Sequence, residues 1–345
     1  MKCKSTFTAL LAILFGCHAM AQELQIGLPD TMQAKLAVTG LCNPSSVTFS
    51  PDGQLTICDS GNGRVLLLDD GDKLKEYATG FTTEFWKVDA ETGAKRFKLG
   101  PLSAVWVDQD TLAVTNAGLG DGEETVVFFD KPGKVESATA TGSVGPTSDD
   151  PADKGEGNLT GMSLSADGKT IYLAGQGADA KSWIMSVDVA SKKLATFASA
   201  DEAGIEINSP MDTMPWGDDS VLALYSGAGG KDDGLIVRWD LASKKALAKW
   251  TLPGLTDPMG FARVPGSDDL VVVDNNWALT EVKPGRLARV TLSQESGDAT
   301  VKVLSDKLLG PVSCTFGPDG GLYIAQLGKE FDKNMGQVLV VSGIK

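Results

Sequence analysis

The chain has 345 residues, with 31 Lys and Arg against 45 Asp and Glu, a formal charge of −14. So acidic a surface repels phosphate backbones and anionic lipid, which argues against nucleic acid and membrane surfaces as partners. Its single histidine, His18, falls in a leading segment expected to be removed. Ser-His-Asp and Cys-His catalysis and His-ligated metals are then excluded.

The leading segment reads as an export signal. Lys2 and Lys4 precede the apolar run "FTALLAILFG", followed by Ala19-Met20-Ala21, a small-x-small cleavage pattern. Residues 1–21 are expected to form a signal peptide, leaving 22–345 as a single secreted or periplasmic domain. The alternative is a lipoprotein signal acylated at Cys17. No apolar run is long enough to span a bilayer as a helix, and the mature chain is expected to be a monomer.

A unit recurs from residue 43 onward. "NPSSVTFSPDGQLTICD" is followed by "GPLSAVWVDQDTLAVTN", "NLTGMSLSADGKTIYLAG", "SPMDTMPWGDDSVLALYS", "DPMGFARVPGSDDLVVVD" and "GPVSCTFGPDGGLYIAQ". From Pro44, Pro101, Leu159, Pro210, Pro258 and Pro311 to the next strand's first apolar residue is eleven or twelve positions each time. A third strand follows each unit, as in "RVLLLD" or "LIVRWD", and in most units a more polar fourth, as in "KLKEYAT". Short alternating strands without helical periodicity predict an all-β chain. A four-stranded sheet cannot bury both faces alone, so six units predict a six-bladed β-propeller of antiparallel blades starting near 43, 100, 158, 209, 257 and 310. The last unit has three strands. "QAKLAV", residues 33–38, is therefore expected to close the last blade from the N-terminal end.

The two faces differ. Turns such as "SPDGQ" and "DLASKK" are minimal, whereas the loops after each second strand and the links between blades are long. "TTEFWKVDAETGAKRFKLG" is expected to form an extra hairpin, and "GSVGPTSDDPADKGEG" an acidic loop. Binding residues gather on such loops, so the long-loop face over the channel is the candidate site. Asp59, Asn116, Gly175, Ser226, Asp274 and Gln326 end second strands there, and Asn43, Asn158 and Asp257 open first strands. Asp59, Asn116, Ser226, Asp257, Asp274, Asn275 and Gln326 are the polar ligand-binding candidates. Asp59, Asn158 and Asp274 could hold Ca²⁺, which favours carboxylate and amide oxygens. The competing reading is that these side chains cap loop amides. Phe85, Trp86, Trp183 and Trp277 could form a stacking platform, with Trp86 and Trp277 the ligand-binding candidates; Trp106, Trp216 and Trp239 fall at strand positions and read as blade packing.

The first unit, through "DSGNGRVLLLD", resembles an NHL repeat, and "LTGMSLSADGKTIYLAG" is similar to the SMP-30/gluconolactonase/strictosidine synthase-like propellers. The latter resemblance implies a divalent metal held by a Glu, an Asn and an Asp, at positions that here carry Cys42, Thr160 and Met211. These are not hard-metal oxygen ligands of that strength, so the lactonase pattern is broken. Cys58 and Cys314 fall on opposite blade faces and could form a disulfide if blades one and six present those faces to each other.

The expectation is an exported propeller that binds a small molecule, glycan or protein on its long-loop face. The alternatives are a Ca²⁺-dependent lactonase or hydrolase and a structural cell-envelope module.

Overall fold

The computed structural model describes residues 24–69, 73–120, 123–135, 140–144, 158–175, 183–201, 204–205, 209–278 and 280–345. The leader, with Cys17 and the cleavage site, most of the acidic loop and the 176–182 loop lie outside the described residues. Six antiparallel sheets stand around a common axis. Their innermost strands are Pro44–Phe49, Ala104–Trp106, Leu159–Leu164, Pro210–Trp216, Pro258–Arg263 and Pro311–Phe316. Each packs beside the next, and the sixth returns to the first. Among the described residues no helix is long and apolar enough to cross a membrane.

The middle strands explain the packing. Leu222 and Leu224 turn towards blade 5, while Val221 and Ala223 turn towards blade 3. Period-two alternation thus sends successive residues into two different interfaces, so the strand reads as a continuous apolar run. Six buried clusters result, one at each blade junction. At about 1.5–3 kcal/mol for each fully buried aliphatic or Phe side chain, these junctions hold the ring together.

Ring closure follows the expectation and runs three residues further. Gln33–Leu41 pairs antiparallel with Gly336–Ser342, from Gln33 opposite Ser342 to Leu41 opposite Gly336. Ala34 adds to the junction of blades 5 and 6, and Val38 and Leu41 to that of blades 6 and 1. Two short segments cover other edges: Gly133–Lys134 pairs parallel with the outer strand of blade 1, and Gly297–Asp298 with that of blade 4. Covered edges resist strand addition by other chains.

The expected disulfide is corrected. Cys58 lies in the junction of blades 1 and 2 and Cys314 in that of blades 5 and 6, so both turn away from the blade 6–1 junction. The ring runs in the hand that separates them, and Cys42, Cys58 and Cys314 are free and buried. Burial pushes all three thiols up, towards the neutral form.

Candidate functional site

The inner strands enclose a cavity of about 750 Å³ on the ring axis. In several blades the residue before the inner strand turns the chain with a left-handed backbone, Gly310 at φ 61° among them. Asn43, Asn158 and Ser209 take left-handed conformations at φ 44°, 43° and 71°, which suits Asn, whose short side chain tolerates that region. The chain then turns sharply from the link into the channel wall.

The expected hairpin forms from Glu84–Val88 and Lys95–Leu99 and contributes to the roof of the cavity. Its aromatic side chains meet residues of blades 5 and 6. Phe97 stacks on Trp277 at 5.6 Å and meets Phe331 at 4.2 Å, while Trp86 is 6.0 Å from Trp277. Asp332, in the blade 6 loop, pins this arrangement by accepting hydrogen bonds from the amides of Phe97 (3.2 Å) and Lys98 (2.6 Å) and from Asn43 Nδ2 (2.7 Å). Asn43 Oδ1 in turn accepts from the Asp332 amide. Phe97 itself sits at φ 57°, a conformation that costs a side chain about 1–2 kcal/mol and that the surrounding contacts must hold.

Releasing the pin should therefore free the roof. Asp332 has φ 58°, so Asp332→Gly removes the carboxylate without straining the backbone. The expected loss is about 1–2 kcal/mol, together with at least tenfold faster hydrogen exchange at the Lys98 amide and new tryptic cleavage at Lys87 or Lys95. An unchanged exchange rate would show that the hairpin is held by its aromatic contacts alone.

The structure divides the predicted residues into two groups. Trp86, Asn158, Ser226, Asp257, Asn275 and Trp277 line the cavity, whereas Asp59, Asn116, Asp274 and Gln326 do not. The second strand stands one layer out from the axis. Where hydrogen bonds fix the side chain at its end, it turns to the link entering its own blade. Asp59 accepts from the Cys42 amide (2.7 Å), Asp274 from the Asp257 amide (2.6 Å), and Gln326 from the Leu309 amide (2.7 Å). Asp59 also pairs with Arg64 at 2.8 Å and Asp274 with Arg286 at 2.5 Å. Capping of loop amides describes these three positions, and the Ca²⁺ candidates Asp59, Asn158 and Asp274 are not brought together. Among the described residues no group of three Asp, Glu or Cys is placed to hold a metal ion.

Asp257 lines the cavity but is engaged. Its Oδ1 accepts from the Gly230 amide (2.9 Å) and its Oδ2 from the Trp277 amide (2.7 Å), so it orients the roof tryptophan. Burial, aided by the Asp274 charge, pushes its carboxyl up, although both amides pull the other way. Asn275 Nδ2 donates to the Pro311 carbonyl (3.0 Å), tying blade 5 to blade 6. Of the other aromatics, Phe85 is exposed, Trp183 packs against the junction of blades 2 and 3, Trp239 is fully buried, and Trp106 donates to Thr56 Oγ1. Arg263 lies over Trp216.

Two features of the wall were not read from the sequence. Met162, Met211, Met214 and Met259 all line it, giving a soft, polarisable surface. Asp212 lines it as well, two residues after the inner-strand proline, where the other blades carry Ser46, Ser103, Gly161, Gly260 and Ser313. In alternate blades this residue latches the next inner strand: Ser103 Oγ accepts from the Met162 amide (3.0 Å), Asp212 Oδ2 from Phe261 (3.3 Å), and Ser313 Oγ from Val47 (3.4 Å). Gly161 makes room for the carboxylate, since a Cβ there would fall 2.2 Å from Asp212 Oδ1. The readable signal was "SPMD", an acid where sister units carry Ser or Gly.

Geometry and comparison together define the class: a six-bladed β-propeller that carries an NHL repeat at residues 41–66. No curated protein matches the chain in sequence. Among solved structures, the soluble aldose sugar dehydrogenase of Escherichia coli is similar at TM-score 0.58 and 16% identity, over 90% of this chain and 99% of that one. A putative glucose dehydrogenase of Thermus thermophilus gives 0.57 and 16%, over 90% and 99%. The PQQ-bound aldose sugar dehydrogenase of Streptomyces coelicolor gives 0.56 and 12%, over 91% and 100%. At such identities the likeness concerns the fold.

Proposed function

We propose that this chain is an exported binding protein that takes a small organic molecule into the channel beneath the aromatic hairpin. The observation that carries this reading is the cavity of about 750 Å³ with Trp86, Phe97, Trp277 and four methionines in its wall. Its size suits a small ligand, and apolar walls with a few placed polar groups are the usual composition of such sites. The roof favours a small molecule over a glycan or a protein. The aromatic faces are largely spent on one another, and the hairpin lies over the approach that a large partner would need.

A metal-dependent hydrolase is the second reading. Asp59 and Asp274 are committed to link amides and arginines, and Asp257 has both oxygens on amides, which leaves little oxygen for a hard cation. The dehydrogenase neighbours raise a third, since one of them holds PQQ. PQQ is a planar tricarboxylate and calls for convergent cations. Here the middle of the cavity offers thioethers and Asp212. Of the three basic lining residues, Lys87 lies on Trp86 at 4.0 Å and Arg263 pairs with Asp268, which leaves Lys98 on the roof hairpin against three carboxylates. The residues present do not fit that group, and no redox step follows from them.

The test pairs metal analysis and simple-lactone hydrolysis, with and without chelator, with titration of the neutral fluorophore N-phenyl-1-naphthylamine. One fluorophore site per chain and no chelator-sensitive turnover are expected. Chelator-sensitive turnover would overturn the binding reading in favour of the hydrolase.

A further inference from the structure

Asp212 carries more charge than its place in the ring requires. Blades 2 and 6 make the same strand-to-strand latch with a neutral hydroxyl, from Ser103 and Ser313. Blade 4 uses a carboxylate in an enclosed setting, where an unpaired charge is costly. Asp212 forms none of the ion pairs among the described residues. Its hydrogen bonds are single ones, Oδ1 from the Thr213 amide (2.9 Å) and Oδ2 from the Phe261 amide (3.3 Å). Each oxygen therefore retains acceptor capacity.

The surroundings point to the missing partner. Met211 and Met259 line the wall on its own and the next blade, and Trp86, Phe97 and Trp277 lie at the mouth. Thioethers are polarisable and electron-rich, and a carboxylate supplies full charge; together they favour an organic ammonium over a neutral or anionic molecule. We infer that the ligand of this channel presents an ammonium group to Asp212, with its apolar part against the methionine wall and the aromatic roof. This deepens the binding reading above and rests on it.

Cation binding at Asp212 should depend on pH. Desolvation pushes the Asp212 carboxyl up to about 7, against the pull of its two amide bonds. The titratable neighbour is Cys314 on blade 6, whose thiol burial keeps neutral. Blades 3 and 5 present Thr160, Gly161, Met259 and Phe261, which do not ionise. The remaining charged lining groups are Asp257 and the roof lysines Lys87 and Lys98, together with Arg263, which is paired with Asp268. Below neutrality Asp212 takes up a proton and loses its attraction for a cation. Affinity for a permanently charged ligand should therefore fall as pH drops.

The test compares phenyltrimethylammonium with its neutral isostere tert-butylbenzene, using quenching of the cavity tryptophans and calorimetry on the full chain. At pH 8 the cation should bind at least tenfold more tightly, and it should lose at least tenfold in affinity by pH 5.5 while the isostere does not change. Asp212→Ser preserves the latch in the form used by blades 2 and 6; it should abolish the preference and the pH dependence while leaving tert-butylbenzene binding intact. If the isostere binds as well as the cation to the native chain, or if Asp212→Ser leaves the preference unchanged, the inference is overturned and the binding reading stands. If neither probe binds, both fall.

Discussion

Removal of residues 24–41 is expected to abolish cooperative folding. The sheet of blade 6 would lose its outer strand, and Gly336–Ser342 would become an exposed edge of apolar residues. Ala34, Val38 and Leu41 would leave two junctions at once, along with Leu24, Ile26, Leu28 and Met32, which pack on the blade 5–6 cluster. Leu41 is fully and Ala34 and Val38 nearly fully buried, and with the nine-residue ladder their loss is on the scale of the roughly 5–15 kcal/mol that ordinarily separates folded from unfolded chains. Urea unfolding followed by circular dichroism should show no sigmoidal transition, and the truncated chain should aggregate. A peptide spanning 31–42 added in trans should restore part of the transition. A truncated chain that melted like the intact one would place ring closure elsewhere.

Asp274→Ala is expected to cost about 3 kcal/mol, near the lower end for breaking a buried pair because Arg286 keeps some solvent. The carboxylate is fully buried and serves three donors: the amides of Asp257 and Thr256 and the Arg286 guanidinium. Its loss strands all three. Asp274→Asn, which keeps an amide acceptor but no charge, should cost about half as much. Asp268→Ala, which breaks the exposed pair with Arg263, should fall below about 1 kcal/mol. Urea midpoints at unchanged slope measure all three. A stable Asp274→Ala protein with altered binding would instead make this carboxylate a ligand-binding group, as the sequence alone suggested.

The fold was legible because its signals are periodic. The spacing from Pro44 to Leu55 recurs to within one residue in every blade, and an orphan strand at 33–38 beside a three-stranded last unit leaves closure as the natural solution. The hairpin and the pair Trp86 and Trp277 were legible too, since aromatics in a long link stand out. The polar site was not. An Asp ending a strand looks the same in one dimension whether it faces a ligand or, like Asp59 and Asp274, the amides of a neighbouring link. Which way a side chain turns there depends on how far the second strand stands from the axis, a property of the assembled ring. Phe97 was hidden by its place in the basic run "KRFKLG", and Asp212 by standing one place beyond Met211, the residue next to the proline. The cysteines turned on the hand of the ring, which no single unit encodes.

Filling the cavity should remove ligand binding while leaving the ring intact. Met259 is half-buried on the cavity wall, so Met259→Trp can place an indole in the channel without entering a blade junction. The measurement is the stoichiometry of N-phenyl-1-naphthylamine on native and Met259→Trp protein, with melting followed in parallel. A channel beneath the hairpin that takes small organic molecules predicts one site on the native chain and none on the filled one, at unchanged melting temperature. Equal binding by the two proteins would contradict it.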